Sequence, residues 1–158
     1  MLKQVLIVED SESCAETLEF EDCLHTYFQV GDIGAVSITG LQGAAFLDNA
    51  AGGNGERKIQ NETALRIDRE TNRIYLDTTS AVEICDEKIK RIIRVEKSGS
   101  NSTVVWNPWT TQKLPDDFDP ADHKQMVCLE SGNVKQNKIL LAPGKSSVLK
   151  VVISSRPE

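Results

Sequence analysis

An all-β antiparallel protein, a β-sandwich or open barrel, is the fold class this sequence predicts, and three observations carry that reading. Short segments rich in Val, Ile and Leu recur at close spacing through the 158 residues. Polar clusters such as Asp77-Thr78-Thr79-Ser80 and Lys97-Ser98-Gly99-Ser100-Asn101 separate them. Only Pro115 to Lys124 has the marks of a helix, with Asp119 placed to cap it and Pro120 at its first position. A chain of this length is expected to form one domain, residues 1–158, with enough residues to bury a real core.

Each element has its own justification. Leu2 to Val8 is a run of branched aliphatics closed by the polar Glu9 to Ser13. Cys14 to Val30 alternates at period two, with Leu18, Phe20, Leu24 and Phe28 set against Glu19, Cys23, His25 and Tyr27, so as one extended strand it puts His25 and Tyr27 on a common face. Asp32-Ile33-Gly34 turns into Ala35 to Ile38, and Leu41 to Asp48 follows as a compact loop or short strand. Asn49 to Arg57 is glycine-rich, lacks the Lys-Ser/Thr of a phosphate loop, and is expected to be an exposed flexible loop. Further strands are expected at Thr63 to Ile67, Arg73 to Asp77, Ala81 to Asp86, Lys90 to Lys97, Ser102 to Asn107, Lys138 to Leu141 and Ser147 to Ser154, with a frayed tail after them.

Charge and cysteine usage narrow the function classes. A net charge of -6 repels a phosphate backbone or an anionic membrane on average, which argues against nucleic acid and membrane partners. The N-terminal apolar run is too short for a signal segment and no window suits a membrane span, so a soluble cytoplasmic protein is expected. Cys14, Cys23, Cys85 and Cys128 lie in strand-like segments without paired spacing and read as reduced structural thiols. Cys23-x-His25 has no second Cys or His pair at ligand spacing, and no metal is expected.

The chemistry-bearing stretch is Gln125 to Val134, QMVCLESGNV, in which Met126 to Leu129 run into Glu130 and Ser131-Gly132-Asn133 reads as a turn. A carboxylate at the mouth of a buried strand is where a general base sits, although Glu130 ending a strand in water is the plainer reading. His25 is open to a second reading too, as an inert histidine among core aromatics.

Four blocks in order go further: CLHTYFQVGDI at Cys23 to Ile33, NRIYLDT at Asn72 to Thr78, VVWNPW at Val104 to Trp109, and MVCLESGNV at Met126 to Val134 followed by LAPGKS. Together they closely resemble the aldose 1-epimerase superfamily, and within it most the hexose-6-phosphate mutarotases. The resemblance runs from about Leu2 onward but corresponds only to the second half of such an enzyme. It implies a truncated version of the galactose mutarotase-like β-supersandwich, lacking the family's N-terminal half. It also implies that the α and β anomers of an aldose or a hexose 6-phosphate are interconverted by acid/base ring opening, with His25 as general acid, Glu130 as general base and no cofactor. Ring opening removes a proton from the C1 hydroxyl and delivers one to the ring oxygen, and closure runs both transfers backwards.

Trp106 and Asn107 offer an indole face and an amide to a pyranose, with Trp109 nearby, and Tyr27 lies two residues from His25. Core packing is the alternative for both tryptophans, and the residues alone leave it open. Where the family usually carries an aspartate before Arg-Ile-Tyr, this chain has Asn72, which still accepts a hydrogen bond but without charge assistance. Half a sandwich leaves apolar faces and strand edges open, so a homo-oligomer, or else a contracted sheet with a new packing arrangement, is expected. The other reading of the same resemblance is a non-catalytic carbohydrate-binding or oligomeric structural remnant.

Overall fold

The computed structural model describes residues 1–11, 15–112, 119 and 121–158, and these form fifteen strands and three single-turn 3₁₀ helices. The first five strands are β1 (Leu2–Glu9), β2 (Leu18–Phe20), β3 (Asp22–Leu24), β4 (Tyr27–Gln29) and β5 (Val36–Thr39). Then come β6 (Ala45–Asp48), β7 (Glu56–Ile59), β8 (Ala64–Arg66), β9 (Thr71–Tyr75) and β10 (Val82–Asp86). The last five are β11 (Arg91–Ser98), β12 (Ser102–Asn107), β13 (Met126–Asn133), β14 (Ile139–Leu141) and β15 (Ser146–Pro157).

Two antiparallel sheets carry the architecture. One has six strands in the order β1-β15-β11-β10-β5-β8; the other runs β3-β13-β12-β9-β6-β7, with β4 also paired to β13. Period-two alternation sends Phe28, Tyr75, Val105, Val127 and Leu129 inward, where they meet Val36, Ile38, Ile84, Val95, Leu149 and Val151 of the six-stranded sheet in one buried cluster. The opposite face of the second sheet points out of the sandwich. On it lie Cys23, Tyr27, Asn72, Ile74, Val104, Trp106, Cys128 and Glu130, because each occupies the alternate position of its strand.

Several expectations about elements change. Cys14 to Val30 is not one strand: the described part is β2, β3 and β4, broken at Glu21 and again at His25-Thr26. Ser131-Gly132-Asn133 does not turn the chain but extends β13, paired to Cys23 and Leu24 on one side and to β12 on the other. Gly132 is needed there because an added Cβ would lie 2.4 Å from the Asp22 carbonyl oxygen.

The tail is not frayed either. Ser154 to Pro157 pair with Arg91 to Arg94, which lengthens β15 to twelve residues. Residues 49–55 form an ordered hairpin connection between β6 and β7, closed by Gly55 N–H on the Asp48 carbonyl at 2.8 Å. Of the proposed helix, Pro120 and most of its first half lie outside the described residues, while Asp122–Gln125 form a single 3₁₀ turn preceded by Ala121. Asp119 still takes part, accepting from Ala121 N–H at 2.8 Å.

Candidate active site

The site is assembled by the pairing of β3 and β4 with β13. Both ladders share one register, Ser131 opposite Leu24 and Cys128 opposite Tyr27, so the gap between them sets His25 opposite Glu130. Directly opposed residues hold their Cβ atoms roughly 4.5–5.5 Å apart, within reach for two long polar side chains. The His25 Nε2 to Glu130 Oε1 distance is 3.0 Å. Residues 105 apart in sequence thus become cross-strand neighbours.

Their environments differ. The Glu130 side chain is 6% exposed, and the His25 side chain is 48% exposed. Glu130 does not end in water as the plainer reading had it. Burial pushes its carboxyl above the ordinary glutamate range, opposed in part by the Cys23 thiol, which donates to Oε2 at 3.1 Å, and by the charge of His25. No lysine or arginine among the described residues is hydrogen-bonded to it. Burial also pushes the Cys23 and Cys128 thiols well above the usual cysteine range, with Glu130 as the next cause for each. Cys23, Cys85 and Cys128 are all free thiols; Cys14 lies outside the described residues.

Aromatic side chains hold the imidazole. Tyr27 stacks on His25 with ring centroids 4.8 Å apart, and Trp106 meets it edge-on at 6.0 Å. Such packing limits the ring to a few orientations while leaving one edge to solvent. A cleft of about 370 Å³ opens above the couple, lined by Cys23, His25, Asn72, Trp106 and Glu130 among others. That volume lies in the range of small-molecule sites. Asn72 enters it from β9, its backbone carbonyl held by Asn49 N–H at 2.8 Å.

The structure removes two residues from the expected set. Asn107 is fully buried; its amide donates to the carbonyls of His123 at 2.8 Å and Met126 at 2.9 Å, and its oxygen accepts from Trp109 N–H at 2.8 Å. It ties the β12 end to the chain entering β13 and offers nothing to a pyranose. Trp109 packs against the main core and lies 6.1 Å from His123, away from the His25 cleft.

Sequence reasoning missed Glu21, Asn49 and Lys135 at the rim, and Cys23 and Cys128 as neighbours of Glu130. The two cysteines carried a signal, since each stands two residues from a site residue and so on the same strand face. The rim residues carried none, because loops bring them there.

One further feature is a larger cleft of about 800 Å³ near the β6–β7 end, lined by Phe46, Gln60, Glu70, Arg73, Trp109 and Thr111 among others. Arg73 stacks 4.5 Å over Phe46 and donates to Gln60 at 2.7 Å, so its charge is spent on holding that corner. Its lining also holds the Lys58–Asp48 ion pair at 2.9 Å. A third grouping lies within the first site: donor atoms of His25, Cys128 and Glu130 are all within 4.8 Å of one another.

Fold and site together define a β-sandwich protein carrying a buried carboxylate against a partly exposed imidazole in a sugar-sized cleft. The aldose 1-epimerase family model matches residues 7–154, and the chain belongs to that family. A protein of Cenchrus ciliaris named as a candidate glucose-6-phosphate 1-epimerase is 35% identical over 134 residues, covering 84% of this chain and 40% of that protein. One of the same name from Escherichia coli K12 is 32% identical over 130 residues, covering 82% and 43%. The chain therefore spans about two fifths of the length of these relatives.

Among solved structures, a candidate mutarotase, YeaD, from Salmonella typhimurium superposes with a TM-score of 0.83 at 23% identity over 99% of this chain and 50% of that one. A galactose mutarotase-like protein from Clostridium acetobutylicum gives 0.69 at 16% identity over 99% and 52%. The fold is thus about half of a galactose mutarotase-like supersandwich.

Proposed function

We propose that the chain is a carbohydrate isomerase of the mutarotase kind, acting on an aldose or hexose 6-phosphate, with Glu130 as general base and His25 as general acid. The single observation that carries this is the 3.0 Å contact between His25 Nε2 and Glu130 Oε1 at the floor of the cleft. The C1 hydroxyl and the ring oxygen hang on one carbon, so an acid and a base this close can serve both.

Glu130 is fixed by Cys23 and by burial, which suits the group that takes a proton from a defined place. His25 is half exposed and stacked on Tyr27, so it can tilt from the carboxylate to the ring oxygen as the sugar enters. Trp106 offers the apolar surface for the C–H face of a pyranose, Tyr27 supports the imidazole, and Asn72 accepts or donates to a hydroxyl. Proton transfer of this kind contributes roughly 10²–10⁴-fold.

Polarimetry or exchange NMR on freshly dissolved glucose 6-phosphate tests the assignment. Glu130→Gln and His25→Asn are each expected to lose about 10²–10⁴-fold of the catalysed rate. Equal rates in parent, both variants and buffer would end the enzyme reading. A second reading, sugar binding without turnover, draws support from Asn72 in place of the family's aspartate. Saturable binding of glucose 6-phosphate with no catalysed anomerisation would favour it.

We also infer a homo-oligomer in a reducing, cytoplasmic setting. Support comes from the open β1 edge, from exposed Val5, Ile7 and Val148 around it, and from the free thiols.

A further inference from the structure

We propose that His25, Cys128 and Glu130 form a binding site for one zinc-like divalent transition-metal ion, and that filling it blocks the cleft. The donor atoms, an imidazole nitrogen, a sulfur and a carboxylate oxygen, lie within 4.8 Å of one another. That set of donors is the set zinc takes, and three protein ligands leave its fourth tetrahedral position to solvent.

The backbone builds the site rather than a chance meeting of surface side chains. Cys128 and Glu130 are alternate residues of one central strand, 0% and 5% exposed, and His25 is held opposite them by the strand register and by its stack on Tyr27. Cys128 is buried behind Trp106, so its thiol is directed at the couple and is shielded from bulk solvent. A cation there would hold the ionised forms of two groups that lie side by side, with no lysine or arginine hydrogen-bonded to either among the described residues.

Cys23 is assigned a supporting place. Its thiol donates to Oε2 of Glu130 while His25 engages Oε1, so it braces the carboxylate from the side away from the imidazole. On binding, the Cys128 S–H proton leaves to solvent as the metal–sulfur bond forms, and the His25–Glu130 contact is replaced by two bonds to the ion. Both proton-transfer groups are then occupied.

Cobalt(II) provides a test independent of turnover. Titrating the parent chain with Co²⁺ is expected to give one equivalent of binding with a near-ultraviolet thiolate-to-cobalt band and the visible bands of a four-coordinate ion. Cys128→Ala and Cys128→Ser should both lose the near-ultraviolet band, and metal affinity should fall by at least the roughly 10–100-fold that removal of a mere outer-shell partner costs. His25→Asn should weaken binding while keeping the sulfur band, and Cys23→Ser should keep it as well.

No thiolate band on the parent, a band that survives Cys128→Ala, or one that vanishes with Cys23→Ser would overturn the assignment. The parent spectrum alone decides the matter should a Cys128 variant fail to fold. A second arm rests on the proposed isomerase reading: Zn²⁺ should suppress catalysed anomerisation, and a chelator should restore it. Binding without suppression would count against the blocking role and leave the acid/base reading to its own variants.

Discussion

Glu130 shows how one residue's chemistry follows from its surroundings. Its carboxyl is raised by burial, so the base form exists only above the ordinary glutamate range, and a rate that needs it should fall away on the acid side at a pH above about 4.5. The Cys23 thiol pulls the other way by donating to the charged form. Cys23→Ala is therefore expected to move that acid limb to still higher pH, measured as the pH profile of anomerisation, and an unmoved limb would deny the thiol this role. Lys97 is a half-buried group on β11. Burial lowers its ammonium to about 8 from 10.5, while its amine donates to the Ser102 carbonyl at 2.6 Å and Thr103 Oγ1 at 2.7 Å. For a lowered pKa the linked stability is complete above 10.5 and is lost as pH falls through about 8. Urea unfolding of the parent should therefore gain on Lys97→Met as pH rises from 8 to 10.5; parallel curves would refute the linkage.

Elements decide whether these side chains meet. β13 is buried along its whole length, flanked by β12 on one side and by β3 and β4 on the other, and Gly132 is the point of closest approach. Gly132→Ala puts a methyl 2.4 Å from the Asp22 carbonyl oxygen and 2.9 Å from Cys23 Sγ, so β3 must move away and take the Glu130 brace with it. A loss of about 1–3 kcal/mol in urea unfolding is expected, with a matching loss of anomerisation. The sequence could not announce this strand end. Ser131-Gly132-Asn133 has turn composition, yet Asn133 finds Asp22 Oδ1 at 2.9 Å and 3.0 Å for its two N–H groups, and Ser100 donates to the Gly132 carbonyl at 2.9 Å. Partners far away in the chain satisfied polar groups that composition assigned to water. The break at His25-Thr26 was equally hidden, although alternation through it kept His25 and Tyr27 on one face as the pattern required.

At the scale of the whole molecule the question is what borders the open edge. Among the described residues β1 pairs only with β15, and Val5, Ile7 and Val148 are about half exposed on the same outward face. An eight-residue edge with an apolar side is a place for another chain to add. Ile7→Lys should shift the light-scattering mass of the parent toward one chain if that edge is where copies meet. A parent that is already monodisperse at the mass of one chain would remove the oligomer proposal. Apart from this edge, the two sheets close around a single main cluster, and that is enough to hold the outer face of the second sheet, and the couple on it, in register.

The sequence by itself determined the sheet class and the face that each strand residue takes, and its motifs singled out His25 and Glu130, because side-chain alternation and short motifs are local properties. Trp106 and Asn72, which it also singled out, line the cleft, while Tyr27 stacks on His25 behind it. Only the tertiary structure decided that Glu130 is buried, that His25 stands directly across from it, that Asn107 is a structural tie, and that Cys128 joins the couple. Those facts depend on which strands become neighbours and in what register, and pairing between residues 105 positions apart is fixed by the packing of the whole sandwich, not by any one segment.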